Sequence, residues 1–212
     1  MDDDTARFDA RAAAWDANPM RQKLARDIAA AMTAAGLFRQ PIPLALDFGC
    51  GTGLLTLKLA AQAEQVTGLD TSAGMLAELA TKIERAGLTN VAMLSADLAA
   101  GDPLPDHYDL IASAMALHHI PDPAVVLKRL WAAAKPGAHL ALADLDSESG
   151  AFHEDKAGVY HNGFDRIELA DMLAGIGFTG IDAATAATIE KTGKNGQIIP
   201  YPVFLMTARK PQ

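Results

Sequence analysis

Short apolar runs alternate with amphipathic segments along most of this chain. Residues 44–48, 65–70, 91–95, 108–113 and 138–144 are brief apolar or mixed runs, and each predicts a strand of a buried sheet. Helical spacing fills the gaps. Residues 54–59 carry leucines at helical intervals. Ser72 caps a segment that turns Met75, Leu76, Leu79 and Ile83 to one face and stops at Gly87. Asp122-Pro123 starts another helix, with aspartate as cap and proline in the first turn. Asp165 with Glu168 starts a third, with Leu169, Met172, Leu173 and Ile176 inward and Gly177 after it. Ahead of the sheet, Met20, Leu24, Ile28 and Met32 share a helix face that closes at Gly36 and the Pro41-Ile42-Pro43 run. Residues 178–184 and 197–209 read as two last strands joined through residues 192–196, and a turn-rich break spans 101–107. Strands alternating with helices predict an α/β fold with a doubly wound, mostly parallel sheet.

The pattern breaks most sharply at Leu46-Asp47-Phe48-Gly49-Cys50-Gly51-Thr52-Gly53. Glycine tolerates positive φ and has no Cβ, so three alternate glycines between a strand and a helix let the backbone turn tightly and approach a ligand. A dinucleotide fingerprint would run G-x-G-x-x-G, but here the third position is Leu54. Asp47 would repel a pyrophosphate. Both features disfavour a nicotinamide oxidoreductase and suit a cationic or zwitterionic ligand. Asp70 follows the first strand by about 20 residues, where nucleotide-binding folds place a carboxylate for the two ribose hydroxyls. An ordinary strand-end acid or helix cap is the alternative for that position.

The glycine run resembles the first motif of the class I S-adenosylmethionine-dependent methyltransferases, (hhD/E)hGxGxG with h apolar. Other stretches are similar to the small-molecule members of that family, of the ubiquinone and menaquinone type: "DLIASAMALHHIPDP", "KPGAHLAL" and the segment "FHEDKAGVYHNGFDRIEL". The chain lacks the (D/N/S)PP(Y/F) box of enzymes that methylate amino groups of bases or glutamine, which argues against DNA and protein-amide substrates. The resemblance implies a seven-stranded Rossmann-like sheet closed by an antiparallel C-terminal hairpin. It implies one domain over residues 1–212, with 1–40 as a helical lid and 144–164 as an active-site loop. The cofactor would be S-adenosylmethionine. Asp47, Gly49, Cys50, Gly51, Thr52 and Gly53 would form its loop, and Asp70 and Thr71 would meet the ribose. Met75, Asp97 and Leu98 would meet the adenine, and Ser113 and Ala114 would lie at the exit of the fourth strand. Phe8 and Trp15 match the family's lid aromatics, able to stack on a sulfonium.

Displacement at a sulfonium methyl needs alignment and exclusion of water more than it needs a catalytic residue. For a protic acceptor a general base adds about 10²–10⁴ in rate. His118, His119, Tyr160 and His161 are the candidates, all expected at the carboxyl edge of the sheet. A positional role, bonding backbone, is the alternative for the histidines. The stretch from 144 to 164 also gathers Asp144, Glu148, His153 and His161, which are acceptable metal ligands in no recognised spacing, so no metal is expected.

Composition narrows the setting. The chain has 212 residues, half of them apolar and 21% charged, which fits one globular domain. A net charge of −8 disfavours a phosphate backbone as partner, so no nucleic acid is expected. The single cysteine, Cys50, forms no internal disulfide and reads most simply as a small apolar loop residue. The acidic start and the lack of a spanning apolar run of about 20 residues suggest a cytoplasmic protein with no membrane insertion. The expected partner is a small-molecule methyl acceptor, the expected assembly a monomer or homodimer. A protein that binds S-adenosylmethionine or S-adenosylhomocysteine without transferring a methyl, as sensor or partner subunit, is the competing expectation. An arsenic-type methyltransferase would need several thiols.

Overall fold

In the computed structural model, residues 2–105, 107–193 and 195–212 are described, with side chains from residue 5 onward. Two helices come first, α1 (Asp2–Trp15) and α2 (Pro19–Ala34). The sheet strands are β1 (Ile42–Phe48), β2 (Ala63–Asp70), β3 (Val91–Ser95), β4 (Tyr108–Ala114), β5 (Ala134–Leu145), β6 (Thr179–Thr192) and β7 (Ile198–Arg209). Between them run α3 (Thr56–Leu59), α4 (Ala73–Ala86), α5 (Pro123–Ala133) and α6 (Arg166–Ile176), with a 3₁₀ turn at Leu117–His119. The spatial order is β3-β2-β1-β4-β5-β7-β6. The first five strands are parallel, and β7 runs antiparallel to both β5 and β6. This is the expected doubly wound sheet with its antiparallel C-terminal hairpin.

Period-two alternation along the strands builds two cores, one on each face. Leu46, Phe48, Ile111, Leu140, Leu142, Phe204 and Met206 face α5 and α6, which contribute Val126, Leu127, Leu130, Leu169 and Leu173. Ala45, Leu110, Ala112, Ala141, Ala143, Val203 and Leu205 face Leu24, Ile28 and Met32 of α2 and Leu55 and Leu59 around α3. Burial of each such Leu- or Ile-sized side chain contributes about 1.5–3 kcal/mol. Strand order reverses on either side of β1, so the carboxyl ends of β1, β2 and β4 splay apart and leave a crevice there.

Several boundaries differ from expectation. The helix after the glycine loop is only Thr56–Leu59, because turns occupy the residues before it. The Lys135-Pro136-Gly137 turn lies inside β5, where Gly137 has φ 80° and the β4 register shifts between Tyr108 and Leu110. β6 runs on to Thr192, well past residue 184, paired with β7 throughout. Asp144 and Leu145 belong to β5, so the loop expected from 144 starts at Asp146, which bridges to Phe164. α2 turns Leu24, Ile28 and Met32 into the core. Asp106 in the 101–107 break and Lys194 in the 192–196 connection lie outside the described residues. Among the described residues no helix is long and apolar enough to cross a membrane.

Candidate active site

The glycine loop leaves β1 with Gly49, Gly51 and Gly53 at φ 68°, 53° and 83°, a left-handed conformation that side chains resist. A Cβ at Gly49 would strike the Ala116 side chain, and one at Gly53 would strike Leu79. At Gly51 a Cβ would meet only Met75 Sδ, at 4.0 Å, so this edge of the loop opens to the crevice. The Cys50 N–H donates to Leu69 O (2.9 Å), and the Gly51 N–H donates to Asp70 Oδ2 (2.7 Å). These two bonds lock the loop to the end of β2. Burial pushes the Cys50 thiol well up, with the Asp47 and Asp70 charges adding, so it is an inert apolar filler.

Asp47 is buried and accepts from the Thr56 hydroxyl at 2.6 Å. Burial raises its carboxyl to about 7, the Thr56 bond opposes the rise, and the Asp70 charge adds to it. The other oxygen of Asp70 accepts from the Ser72 N–H at 2.9 Å, so its two oxygens anchor two backbone donors and keep lone pairs for more. Burial also raises Asp70, against those backbone bonds. Asp97 Oδ1 accepts from the N–H groups of Ala99 and Ala100 (2.9 and 3.0 Å) beside buried Leu98.

These residues line one cavity of about 400 Å³, together with Gly49, Cys50, Gly51, Thr52, Thr71, Met75 and Ala114. Gly53 and Ser113 stand behind the lining rather than in it. Phe8 and Trp15 from α1 close the cavity over, in edge contact with each other at 5.9 Å between centroids. α1 is tied down on both sides. Asp9 Oδ1 accepts from the Ser72 hydroxyl (2.5 Å) and the Gly74 N–H (2.8 Å), which hold its carboxyl below the usual range. Asp16 accepts from the Thr52 hydroxyl at 2.6 Å and pairs with Lys82. Across the crevice Arg7 and Arg11 pair with Asp155 of the 146–164 loop.

The 3₁₀ turn after β4 brings the histidines in. His118 is buried, and its Nδ1 lies 2.7 Å from Asp144 Oδ1 at the end of β5. Asp144 also accepts the His118 backbone N–H (3.2 Å) and the Leu145 N–H (2.7 Å). A carboxylate on Nδ1 selects the Nδ1–H tautomer, which leaves a lone pair on Nε2, and buried His118 Nε2 has no protein partner. His119 donates from Nδ1 to Gly158 O (2.6 Å). His153 packs 5.0 Å from the His118 ring, and burial, then the neighbouring His118, His119 and Lys191 charges, depress it to about 4. His118, His119, His153 and Tyr160 all line the cavity. His161 does not: its Nε2–H donates to Ile120 O at 3.0 Å, and its ring lies against Phe164. The peptide N–H groups of Tyr160 and His161 both bond His118 O, so this loop hangs from the turn. Among the described residues no three His, Cys, Asp or Glu side chains are arranged to hold a metal ion.

Sequence reading placed His118 but not its partner Asp144, for which the only signal was an apolar strand ending in an acid. It had no signal for Asp9, Asp16, Arg21 or Lys191, whose neighbours are distant in the chain.

Residues 45–137 match the family described as methyltransferase domain. Over 120 residues the chain is 32% identical to a ubiquinone biosynthesis O-methyltransferase of Serratia proteamaculans, covering 56% of this chain and 48% of that protein. Over 131 residues it is 35% identical to a trans-aconitate 2-methyltransferase of Deinococcus radiodurans, covering 60% of this chain and 48% of that protein. The chain spans about half the length of the curated relatives it matches. Among solved structures, the DhpI–SAH complex aligns with a TM-score of 0.74 at 24% identity, over 98% of this chain and 94% of that one. Its strand order, the glycine loop at the switch point and these matches together support a class I S-adenosylmethionine-dependent methyltransferase.

Proposed function

We propose that the protein transfers the methyl group of S-adenosylmethionine to a small acceptor with a protic nucleophile, and that His118 takes the acceptor's proton at Nε2. The observation that carries the reading is the Asp144–His118 pair, in which Nε2 is buried without a protein partner and His118 lines the same cavity as the glycine loop. The residues fit the cofactor: Gly51 leaves room at the loop edge, and Asp70 offers acceptor lone pairs in the same cavity. When bound, S-adenosylmethionine supplies an electrophilic methyl on a positive sulfur. Asp70 would accept from the ribose hydroxyls, Met75 and Leu98 would wall the adenine, and Asp97 would accept from its amino group. Phe8 and Trp15 would exclude water.

His118 would take at Nε2 the proton that the acceptor releases on methylation. Asp144 keeps the ring oriented and faces the positive charge that develops on it. The small acceptor is supported by the size of the cavity, about 400 Å³, and by the acidic net charge, which opposes a nucleic acid.

The test is methyl transfer from labelled S-adenosylmethionine to a panel of small hydroxyl, thiol, amine and acid acceptors, repeated with His118→Gln. Transfer that falls about 10²–10⁴-fold in the variant, with unchanged S-adenosylhomocysteine affinity, is expected. Transfer at the wild-type rate in His118→Gln overturns the base assignment. A protein that binds the cofactor and methylates nothing in the panel overturns the transferase reading.

A further inference from the structure

The cavity that the glycine loop lines also holds two cations with a chemistry of their own. Two chains of ring contacts run from the histidine pair. One passes from His118 to His153 (5.0 Å between centroids), then to Phe152 (4.7 Å), and ends at Lys191, whose Nζ lies 3.8 Å from the Phe152 ring centre. The other passes from His119 to Phe8 (5.1 Å), then to Trp15 (5.9 Å), and ends at Arg21, whose guanidinium carbon lies 3.6 Å from the Trp15 ring centre. Burial and, after it, the Arg21 charge lower the Lys191 pKa, and both residues line the cavity. Together the chains form a belt, with the proposed base at one end and two positive charges at the other. Leu24, Ile28 and Ile189 supply apolar wall.

Both cations are half-buried. Each donates one hydrogen bond to a backbone carbonyl: Arg21 Nη1 to Trp15 O at 2.9 Å, and Lys191 Nζ to Phe152 O. Each has further N–H donors. Among the described residues, neither forms an ion pair, although the chain holds 26 acids against 18 Lys and Arg. The acids nearby are committed or out of reach. Asp16 is bound to Thr52 and Lys82. Glu148 Oε2 holds the N–H groups of Ala151 and Phe152, and its Oε1 reaches no donor. Glu154 and Glu148 attract Lys191, and Asp16 attracts Arg21, without forming ion pairs with them. Burial works against the charge of both cations. His153 Nε2 and Arg7 Nη1, in two further residues that line the cavity, are buried with no partner. Half-buried charge without an ion-pair partner, and buried polar atoms without hydrogen bonds, are costly unless a ligand compensates them.

We propose that the methyl acceptor is a small acid with an apolar or aromatic body, its oxyanion, carboxylate or phosphoryl, held between Arg21 and Lys191 while its protic group meets His118. The inference rests on the methyl-transfer reading of this cavity. The planar guanidinium gives paired donors to such a group, and the ammonium gives a second point of charge.

The experiment is calorimetric titration of S-adenosylhomocysteine-saturated protein with matched probes: 4-hydroxybenzoate, 4-hydroxyphenylphosphonate, the neutral 4-hydroxybenzamide, and an aliphatic hydroxy acid with its amide. Acids are expected to bind and amides to bind far more weakly. The carboxylate and phosphonate arms decide which oxyanion is preferred. Lys191→Gln and Arg21→Gln, checked as folded by thermal melting, are each expected to weaken acid binding about tenfold or more and to leave S-adenosylhomocysteine affinity unchanged. Amides that bind as well as acids, no binding of any acid, or variants that bind acids like wild type each overturn the inference. Failure to bind S-adenosylhomocysteine would instead sink the methyltransferase reading beneath it.

Discussion

Asp144→Asn tests the histidine dyad without any knowledge of the acceptor. The carboxylate takes three donors: His118 Nδ1–H and Leu145 N–H at 2.7 Å, both on Oδ1, and His118 N–H at 3.2 Å on Oδ2. The asparagine carbonyl can keep the Oδ1 pair as weaker, neutral bonds. Its amide NH₂ then faces the His118 backbone N–H, donor against donor, at a buried position. Hydrogen bonds to a charged group contribute about 1.5–3 kcal/mol and neutral ones about 0.5–1.5, while a buried orphan donor costs about 1–3. The expected loss is about 3 kcal/mol, read as a lower urea midpoint at unchanged slope. If the amide instead flips to donate to Nδ1, the tautomer inverts. Long-range ¹⁵N correlation spectra of labelled histidine separate the two cases. The wild type is expected to show Nδ1–H and an unprotonated Nε2 on His118. A wild-type Nε2–H tautomer, or a variant as stable as wild type, would refute the reasoning.

Asp47 is raised to about 7 mainly by burial, so the folded state holds a proton that the unfolded chain releases near pH 4, and stability falls as pH rises between those values. Asp47→Asn is expected to flatten that slope and to stabilise the protein at pH 8 by roughly 2–4 kcal/mol, measured by urea unfolding across the pH range. His153 has the opposite linkage. Its depression to about 4 means the unfolded chain binds the proton first, so stability present above pH 6.5 is lost as pH falls toward 4, and His153→Gln is expected to reduce that acid loss in the same titration. Asp155→Asn releases Arg7 and Arg11, an exposed contact of little consequence for folding. It is expected to leave the melting temperature unchanged and to speed S-adenosylhomocysteine release in stopped-flow fluorescence of Trp15, because α1 covers the cavity.

The sequence was most readable where local chemistry and topology agree. The apolar runs marked β1, β4 and β5 because a strand buried on both faces needs no polar alternation. Ser72, Gly87, Asp122 and Asp165 mark helix ends because caps act within a few residues of themselves. β6 was only half legible. Past residue 184 it is Ala- and Thr-rich and largely exposed, so the pattern fades while pairing to β7 continues. In the site, the glycine loop and Asp70 were readable from spacing, since one strand and one turn fix their relation. The Asp144–His118 pair was not, because 26 residues and a helix separate them and only sheet order makes β4 and β5 neighbours. The Arg21 and Lys191 end was invisible for the same reason: α2 and the end of β6 meet only through the sheet's far face.

Cofactor binding tests the account most directly. Calorimetric titration with S-adenosylhomocysteine, in wild type and Asp70→Ala, reads the glycine loop and the strand-end carboxylate together. The account expects wild-type binding that weakens about 100-fold or more in a folded Asp70→Ala protein, because charge-assisted bonds to the ribose are lost along with the anchor of the Gly51 N–H. Equal affinity in the two proteins would contradict the ribose role, and a folded wild type that binds no S-adenosylhomocysteine would contradict the whole reading.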